Sequence, residues 1–207
     1  SVTSRVPGEW KTFCRVKAKQ EGSAGEHQVA YAIAADKDFL STYDIPVLDG
    51  RNFQNENDTS AILVNETAAK MLGITNVADQ VVDIPVIARN NFFTPLFDDV
   101  NASFKPRVIG IVRDFHFQSL RDRIQPLIIA YNDNPIQPID YYSVKISPHD
   151  IPETLEKLKS IMVKNDEREP FEYHFLEDQL ALFYLEDQRS QTILSWVALA
   201  SVFIACL

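Results

Sequence analysis

The sequence has few of the residues from which metal and redox sites are built. Only two of its 207 residues are cysteines, Cys14 and Cys206, and only four are histidines. Two cysteines are too few for a disulfide framework or a zinc knuckle. No histidine lies three or four residues from another histidine or a cysteine, the spacing of a local metal site. The sequence therefore predicts no metal site.

Glycine is also scarce, with six residues in the chain, and none of them forms a phosphate-binding or dinucleotide-binding loop. No serine or cysteine stands in a nucleophile-elbow context. Asp114 and His116 are the best candidates for acid–base chemistry. Their alternation with Phe115 and Phe117 is also typical of a strand end with one apolar face, which is the interpretation we prefer. The sequence predicts no catalytic residue and no cofactor.

The chain has fewer basic than acidic residues, with 20 Lys and Arg and 29 Asp and Glu, which gives a formal net charge of −9. No stretch of sequence gathers Lys and Arg into an evident patch. A nucleic-acid-binding protein needs cationic side chains to displace the counterions of the phosphates. Broad contact with an anionic lipid surface needs them too. The composition therefore argues against both partner classes.

The C-terminal residues 190–207 contain no charged side chain. A helix of this length rises about 27 Å, just short of the roughly 30 Å hydrocarbon core of a bilayer. No Gly, Pro, Lys or Arg ends it. We expect the truncated start of a transmembrane helix in contact with membrane lipid; a buried C-terminal core helix is the alternative. Its membrane-facing candidates are Ile193, Leu194, Trp196, Val197, Leu199, Val202, Phe203, Ile204 and Leu207.

An amphipathic stretch comes directly before this apolar run. Leu176, Leu180, Phe183 and Tyr184 fall at positions i, i+4, i+7 and i+8, which is one stripe of a helix. No helix breaker separates the stripe from the apolar run. The pattern predicts one continuous helix that first packs on the domain and then enters the bilayer.

The rest of the chain reads as about eight strands mixed with three or four helices, which indicates an α+β fold. Asn65 is a predicted helix N-cap, and Gly73 stands where a left-handed residue ends that helix. Residues 89–106 read as a loop and residues 107–120 as a strand. Asp150 is predicted to begin a helix, with Glu153 completing a capping box, and residues 171–175 read as a last strand.

Several segments, taken in order, resemble the MacB-like extracytoplasmic domain of FtsX-type ABC transporter permeases. They are DGRNF at 49–53, VNETAAKMLG at 64–73 and VIGIVRDFHFQSL at 108–120. The C-terminal stretch also matches, from FLED at 175–178 through Tyr184 and Glu186 to ACL at 205–207. Each motif alone is weak, but their order and spacing span nearly the whole chain.

The resemblance implies a two-lobed domain on the periplasmic side of a bacterial inner (cytoplasmic) membrane. A discontinuous porter-like lobe would take residues 1–50 and 138–189. An inserted lobe would take residues 51–137, and residues 190–207 would begin the membrane helix.

The resemblance also implies partners. Such permeases pair with a cytoplasmic ABC ATPase, assemble as homo- or heterodimers, and can meet a periplasmic or outer-membrane protein. ATP-driven motion would travel through the membrane helices to the outer domain. Two other functions remain open from the residues alone. One is a ligand-binding sensor ectodomain of a membrane receptor, and the other is a membrane-anchored hydrolase, which would need a nucleophile or metal cluster.

Overall fold

The structure is a computed structural model that describes residues 1–8, 13–89, 92–119, 122–165 and 171–178. The chain divides into two compact units, residues 1–145 and residues 146–207. The described strands all lie in the first unit. They are β1 (Val2–Thr3), β2 (Cys14–Gln20), β3 (Gln28–Ala35), β4 (Val47–Gly50), β5 (Ala61–Asn65), β6 (Val82–Arg89), β7 (Phe92–Pro95), β8 (Arg107–Val112), β9 (Leu127–Tyr131) and β10 (Tyr141–Tyr142).

Among the described residues of the first unit, three helices accompany these strands: α1 (Phe39–Thr42), a 3₁₀ helix (Glu56–Ser60) and α2 (Glu66–Leu72). The strands form one mixed sheet in the order β4-β8-β5-β9-β3-β2-β6-β7, with β1 joining β3 to β10. The β3–β9 and β5–β8 pairs are parallel, and the other pairs are antiparallel. The predicted α+β fold is confirmed.

The central strands β5 and β9 are buried on both faces, which explains why they read as continuous apolar runs. On β5, Ile62 and Val64 enter a first core with α2, whereas Ala61 and Leu63 enter a second core on the other face. Full burial of each such large aliphatic side chain stabilises the fold by about 1.5–3 kcal/mol. Burial on both faces therefore stabilises the centre of the sheet.

Aromatic side chains close the second core. Phe117 lies edge-on to Phe13 with ring centroids 5.2 Å apart, and it contacts Tyr31 at 5.6 Å. Phe39 of α1 and Phe53 are buried in the same core. These residues cover the sheet over β3, β9 and β5.

Strands from both predicted lobes lie side by side in this sheet. β4, within residues 1–50, is antiparallel to β8, within residues 51–137. Likewise β3 is parallel to β9. The lobe boundaries themselves stay a prediction.

Two sequence-based expectations for the middle of the chain were wrong. Residues 89–106 are not all loop, because β7 pairs with β6 there. Its Pro95 lies on an edge strand, where a missing N–H is tolerated. The strand predicted over residues 107–120 ends at Val112. Phe115 and Phe117 alternate because both rings pack on the second core, not because the backbone continues in the sheet.

The second unit contains α3 (Ile151–Asn165). The helix begins directly after Asp150, as predicted. The capping box is not observed, because Asp150 has a φ of +57° instead of the extended backbone of an N-cap, and Glu153 accepts a hydrogen bond from the ammonium group of Lys157, 2.6 Å away. The predicted strand at 171–175 was wrong as well, because these residues are not in a strand. Their alternate aromatic rings contact one another instead, with centroids 5.7 and 5.6 Å apart.

Candidate functional site

The three internal motifs that carry the family resemblance meet in the first unit. Residues 49–53 begin on β4, residues 64–73 include the end of β5 and all of α2, and residues 108–120 begin on β8. In the sheet, β8 lies between β4 and β5. The sheet therefore brings together motifs that are distant in sequence, since Asp49 pairs with Ile111, 62 positions later. We call this arrangement the motif junction.

Two glycines allow the β4 and β8 backbones to approach each other. A Cβ atom on Gly50, whose φ is +75°, would lie 2.2 Å from the carbonyl oxygen of Ile109. A Cβ on Gly110 would lie 2.5 Å from the carbonyl oxygen of Arg51. The Arg51 N–H also donates to the Ile109 carbonyl oxygen at 2.8 Å. Any side chain at Gly50 or Gly110 would force these strands apart.

Asn65 connects the end of β5 to α2 and β9. Its Oδ1 accepts hydrogen bonds from the N–H groups of Ala68 and Leu127, both at 2.9 Å. Its Nδ2 donates to the carbonyl oxygen of Gln125 at 3.0 Å. The predicted N-cap is confirmed, and so is the left-handed Gly73, with φ of +73°, at the other end of the helix. The side chain of Asn65 is fully buried, so it holds three elements in place.

Asp114 joins the segment after β8 to the first turn of α2. Its two carboxylate oxygens accept from the N–H of Thr67 at 3.0 Å and from the Thr67 hydroxyl at 2.7 Å. Its own N–H donates to a carboxylate oxygen of Glu66 at 3.1 Å. Carboxylates are favoured at a helix N-terminus, where backbone N–H groups are unpaired. These bonds indicate that Asp114 has a structural role.

His116 lies beside a small cleft. His116 is exposed, whereas Phe117 is buried in the second core. A cleft lined by residues 115–119 and 122–125 has a volume of about 10 Å³. That is room for about one water molecule, too little for a metabolite. Within the described ranges, no group of three or more His, Cys, Asp or Glu is placed to hold a metal ion.

A charged pair closes the loop that leaves the motif junction. Arg51 donates to both carboxylate oxygens of Asp58, at 2.9 and 2.8 Å. The hydrogen bond from Arg51 lowers the pKa of Asp58 below its usual value, although burial acts in the opposite direction. The loop between them places Phe53 against Tyr131, with ring centroids 5.3 Å apart. The pair therefore keeps an aromatic ring in the second core.

Of the predicted helix stripe that precedes the apolar run, only the first residue lies among the described residues. Leu176 is 36% exposed, and residues 176–178 are helical. The other stripe residues, Leu180, Phe183 and Tyr184, lie outside the described residues. The membrane-facing candidates do too: Ile193, Leu194, Trp196, Val197, Leu199, Val202, Phe203, Ile204 and Leu207. Within the part that is described, no helix combines the length and apolarity needed to cross a bilayer. The continuous helix stays a prediction.

The fold also reveals a row of cations that sequence reasoning missed. Arg15, Lys17 and Lys19 alternate along β2 with Val16 and Ala18, which are buried in the first core. The three cations therefore lie on the other face of the sheet. Their period of two in a strand was the available signal. We call them the β2 cation row.

A second polar cluster lies beside the end of this row. His27 Nε2 lies 2.9 Å from Asp83 Oδ2, and Lys105 pairs with Glu21 at 2.7 Å. Burial by itself would raise the pKa of Asp83. Contacts with Ser103 and His27 outweigh that effect, and the pKa is lowered overall. Asp83 thus remains a carboxylate at neutral pH.

Comparison with known proteins gives no matching protein-family model and no matching curated protein. Solved structures do match. A domain from a protein described as a permease of Porphyromonas gingivalis is 16% identical, covers 86% of this chain and 93% of its own, and has a TM-score of 0.47. The periplasmic region of MacB from Actinobacillus actinomycetemcomitans is 14% identical, covers 83% and 77%, and has a TM-score of 0.39.

A third solved structure is the extracellular domain of the ABC-type transporter YknZ from Gram-positive bacteria. It is 13% identical, covers 56% of this chain and 53% of its own, and has a TM-score of 0.35. At this level of similarity, the function of the chain has to be derived from its own residues.

Proposed function

We propose that this chain is the extracytoplasmic domain of an ABC transporter permease, held on the periplasmic side of a bacterial inner membrane. The observation that carries the proposal is the motif junction. Segments that resemble the permease family in order and spacing meet at one place in the fold. Their characteristic residues there, Gly50, Asn65, Gly110 and Asp114, make close backbone contacts and hydrogen bonds instead of lining a pocket.

The motif junction is suited to transmitting force, because it is rigid. The junction joins β4, β5, α2, β8 and β9 through backbone contacts and buried hydrogen bonds, which resist local deformation. We further propose that a helix running from Leu176 through Leu180, Phe183 and Tyr184 into residues 190–207 connects the domain to the membrane. A helix without Gly or Pro transmits displacement along its axis, so ATP hydrolysis in the cytoplasm would reshape the outer domain.

The partners follow from this mechanism. A cytoplasmic ABC ATPase would supply the energy, the permease would act as a homo- or heterodimer, and lipid would surround the C-terminal helix. The cargo, or a periplasmic protein regulated by the domain, would be the object of the movement. No step of this mechanism requires a catalytic residue or a cofactor in the domain.

The proposal is tested by purifying the full-length membrane protein in a mild detergent that preserves complexes. We expect an ATP-hydrolysing subunit to co-purify in a fixed ratio. The matched control is the same preparation with Gly110→Leu, which disrupts the motif junction, and with Gly25→Leu, which adds the same bulk on an exposed turn. Absence of any associated or fused ATPase from the wild-type protein would contradict the permease function and favour a sensor ectodomain.

A further inference from the structure

The β2 cation row lies on a sheet face of mixed character. In register across the strands, Lys17 faces Val29 of β3 on one side and Val86 of β6 on the other. Val29 is 44% exposed, although it belongs to a strand of the central sheet. The second core covers this face over β3 from Tyr31 onward, but Val29 stands beyond that cover. The face around Lys17 therefore combines positive charge with accessible apolar surface.

An aromatic contact holds the central cation of the row in place. The ammonium group of Lys17 lies 5.0 Å from the ring centroid of Phe93 on β7. A cation over an aromatic face at this distance is attracted by the ring quadrupole. Among the described residues, neither Lys17 nor Lys19 forms an ion pair. Both ammonium groups are therefore available to an external anion.

The neighbouring charges leave this face positive. Asp83 lies opposite Lys19 in the β2–β6 register, and its carboxylate, which contacts His27, offsets one positive charge of the row. Lys105 and Glu21 compensate each other. Lys17 and Lys19 are thus positive charges on a chain whose formal net charge is −9. A positive face on an acidic protein attracts a negatively charged partner and repels other positive faces of its own kind.

The spacing of the row indicates the shape of that partner. Side chains at i, i+2 and i+4 of a strand lie on one face about 6.6–6.8 Å apart. Alternate side chains of any extended segment repeat at the same interval. We propose that the face formed by Lys17, Lys19, Val29, Val86 and Phe93 is a docking surface for an extended, acidic segment of a partner protein. This surface does not depend on the proposed transport function.

The test uses the 207-residue chain and dye-labelled ten-residue peptides followed by fluorescence anisotropy at low salt. The alternating peptide is made of Glu-Thr repeats and places a carboxylate at every second position. The block peptide has the same composition, with all glutamates before all threonines, and so has the same charge without that spacing. We expect the alternating peptide to bind at least severalfold more tightly than the block peptide. A peptide of Lys-Thr repeats should not bind, and binding of the alternating peptide should weaken as salt rises.

Variants locate the site. The double change Lys17→Glu with Lys19→Glu should weaken binding of the alternating peptide by about tenfold or more, because it replaces attraction by repulsion. The matched control, Lys159→Glu with Lys164→Glu, makes the same charge change on α3 and should leave binding unchanged. If the charge reversal unfolds the protein, Lys17→Gln with Lys19→Gln removes the charges more gently and should weaken binding in the same direction.

Several outcomes would overturn the proposal. They are no binding of the alternating peptide, equal binding of the alternating and block peptides, or equal losses in the row and control variants. Preferential binding to phosphatidylglycerol vesicles over phosphatidylcholine vesicles, dependent on Lys17 and Lys19 and stronger than peptide binding, would assign the face to a lipid surface instead. The same result with a single-stranded oligonucleotide would assign it to a nucleic acid.

Discussion

Asp114 and Thr67 are 47 residues apart in the sequence and are joined by two hydrogen bonds, one from the backbone N–H and one from the hydroxyl of Thr67. The pair fixes the chain leaving β8 to the start of α2. Because Phe115 and Phe117 follow directly, the same pair determines where two aromatic rings enter the second core. The sequence pattern made Asp114 a candidate for acid–base catalysis. In the structure, its carboxylate instead helps to position the aromatic side chains that follow it.

Replacement of Asp114 by Ala should destabilise the fold. Thr67 loses both acceptors, and a hydrogen bond to a charged group contributes about 1.5–3 kcal/mol to stability. We expect the free energy of unfolding in urea to fall by about 2 kcal/mol. Asp122→Ala removes an exposed carboxylate nearby and should change it by less than about 0.5 kcal/mol. Equal effects of the two changes would refute the structural role of Asp114.

Gly110→Ala should disrupt the β4–β8 contact. The added methyl group would lie 2.5 Å from the Arg51 carbonyl oxygen and 2.8 Å from Leu63 Cδ2. Overpacking of this kind typically costs about 1–3 kcal/mol, which thermal unfolding would detect as a lower Tm. Gly25→Ala is the matched control, since its nearest atom would be 3.4 Å away. A Gly110→Ala protein as stable as the Gly25→Ala protein would contradict the close approach of β4 and β8.

Stability should depend on acid pH through Asp58. Its pKa is lower in the folded protein than in the unfolded chain, chiefly because of the hydrogen bond from Arg51. The folded state therefore gains stability above the unfolded pKa, near 3.8, and loses it as pH falls through the folded pKa. Asp58→Asn should cost about 1–2 kcal/mol at pH 7, and the difference from wild type should shrink below about pH 4.

Urea unfolding of both proteins between about pH 3 and pH 7 measures this effect. Asp38→Asn provides the control, because the Lys37–Asp38 pair is exposed on both sides and exposed pairs contribute little. A difference between wild type and Asp58→Asn that stays constant over this range would show that ionisation of Asp58 is not responsible.

The proposed connection to the membrane is tested at Leu180 and Phe183. Replacing either by Gly in the full-length protein removes a stripe side chain and adds flexibility next to the membrane segment. We expect the domain to remain folded while ATP hydrolysis and transport become uncoupled. Ala181→Gly adds flexibility without removing a stripe residue and should have a smaller effect. Retained coupling in the Leu180→Gly and Phe183→Gly proteins would exclude transmission through this helix.

Local features of the fold could be predicted from the sequence alone. Asn65 and Gly73 bracket α2 as expected, because capping depends on hydrogen bonds and dihedral angles within a few residues. The apolar run at residues 61–64 is typical of a buried strand, because burial on both faces leaves no position for a polar side chain. The α+β class followed from the mixture of these elements.

The tertiary structure decided which segments meet. The alternation at residues 114–117 and at 171–175 looked like strand, but an alternating pattern records only which side chains face an apolar surface. In one case that surface is the second core, and in the other it is the neighbouring rings. Likewise, a period of two places Arg15, Lys17 and Lys19 on one face of β2, but only the position of β2 between β3 and β6 decides which side chains surround them. Pairing partners lie far away in sequence, and a strand does not encode its neighbours in its own residues, so only the folded chain determines them.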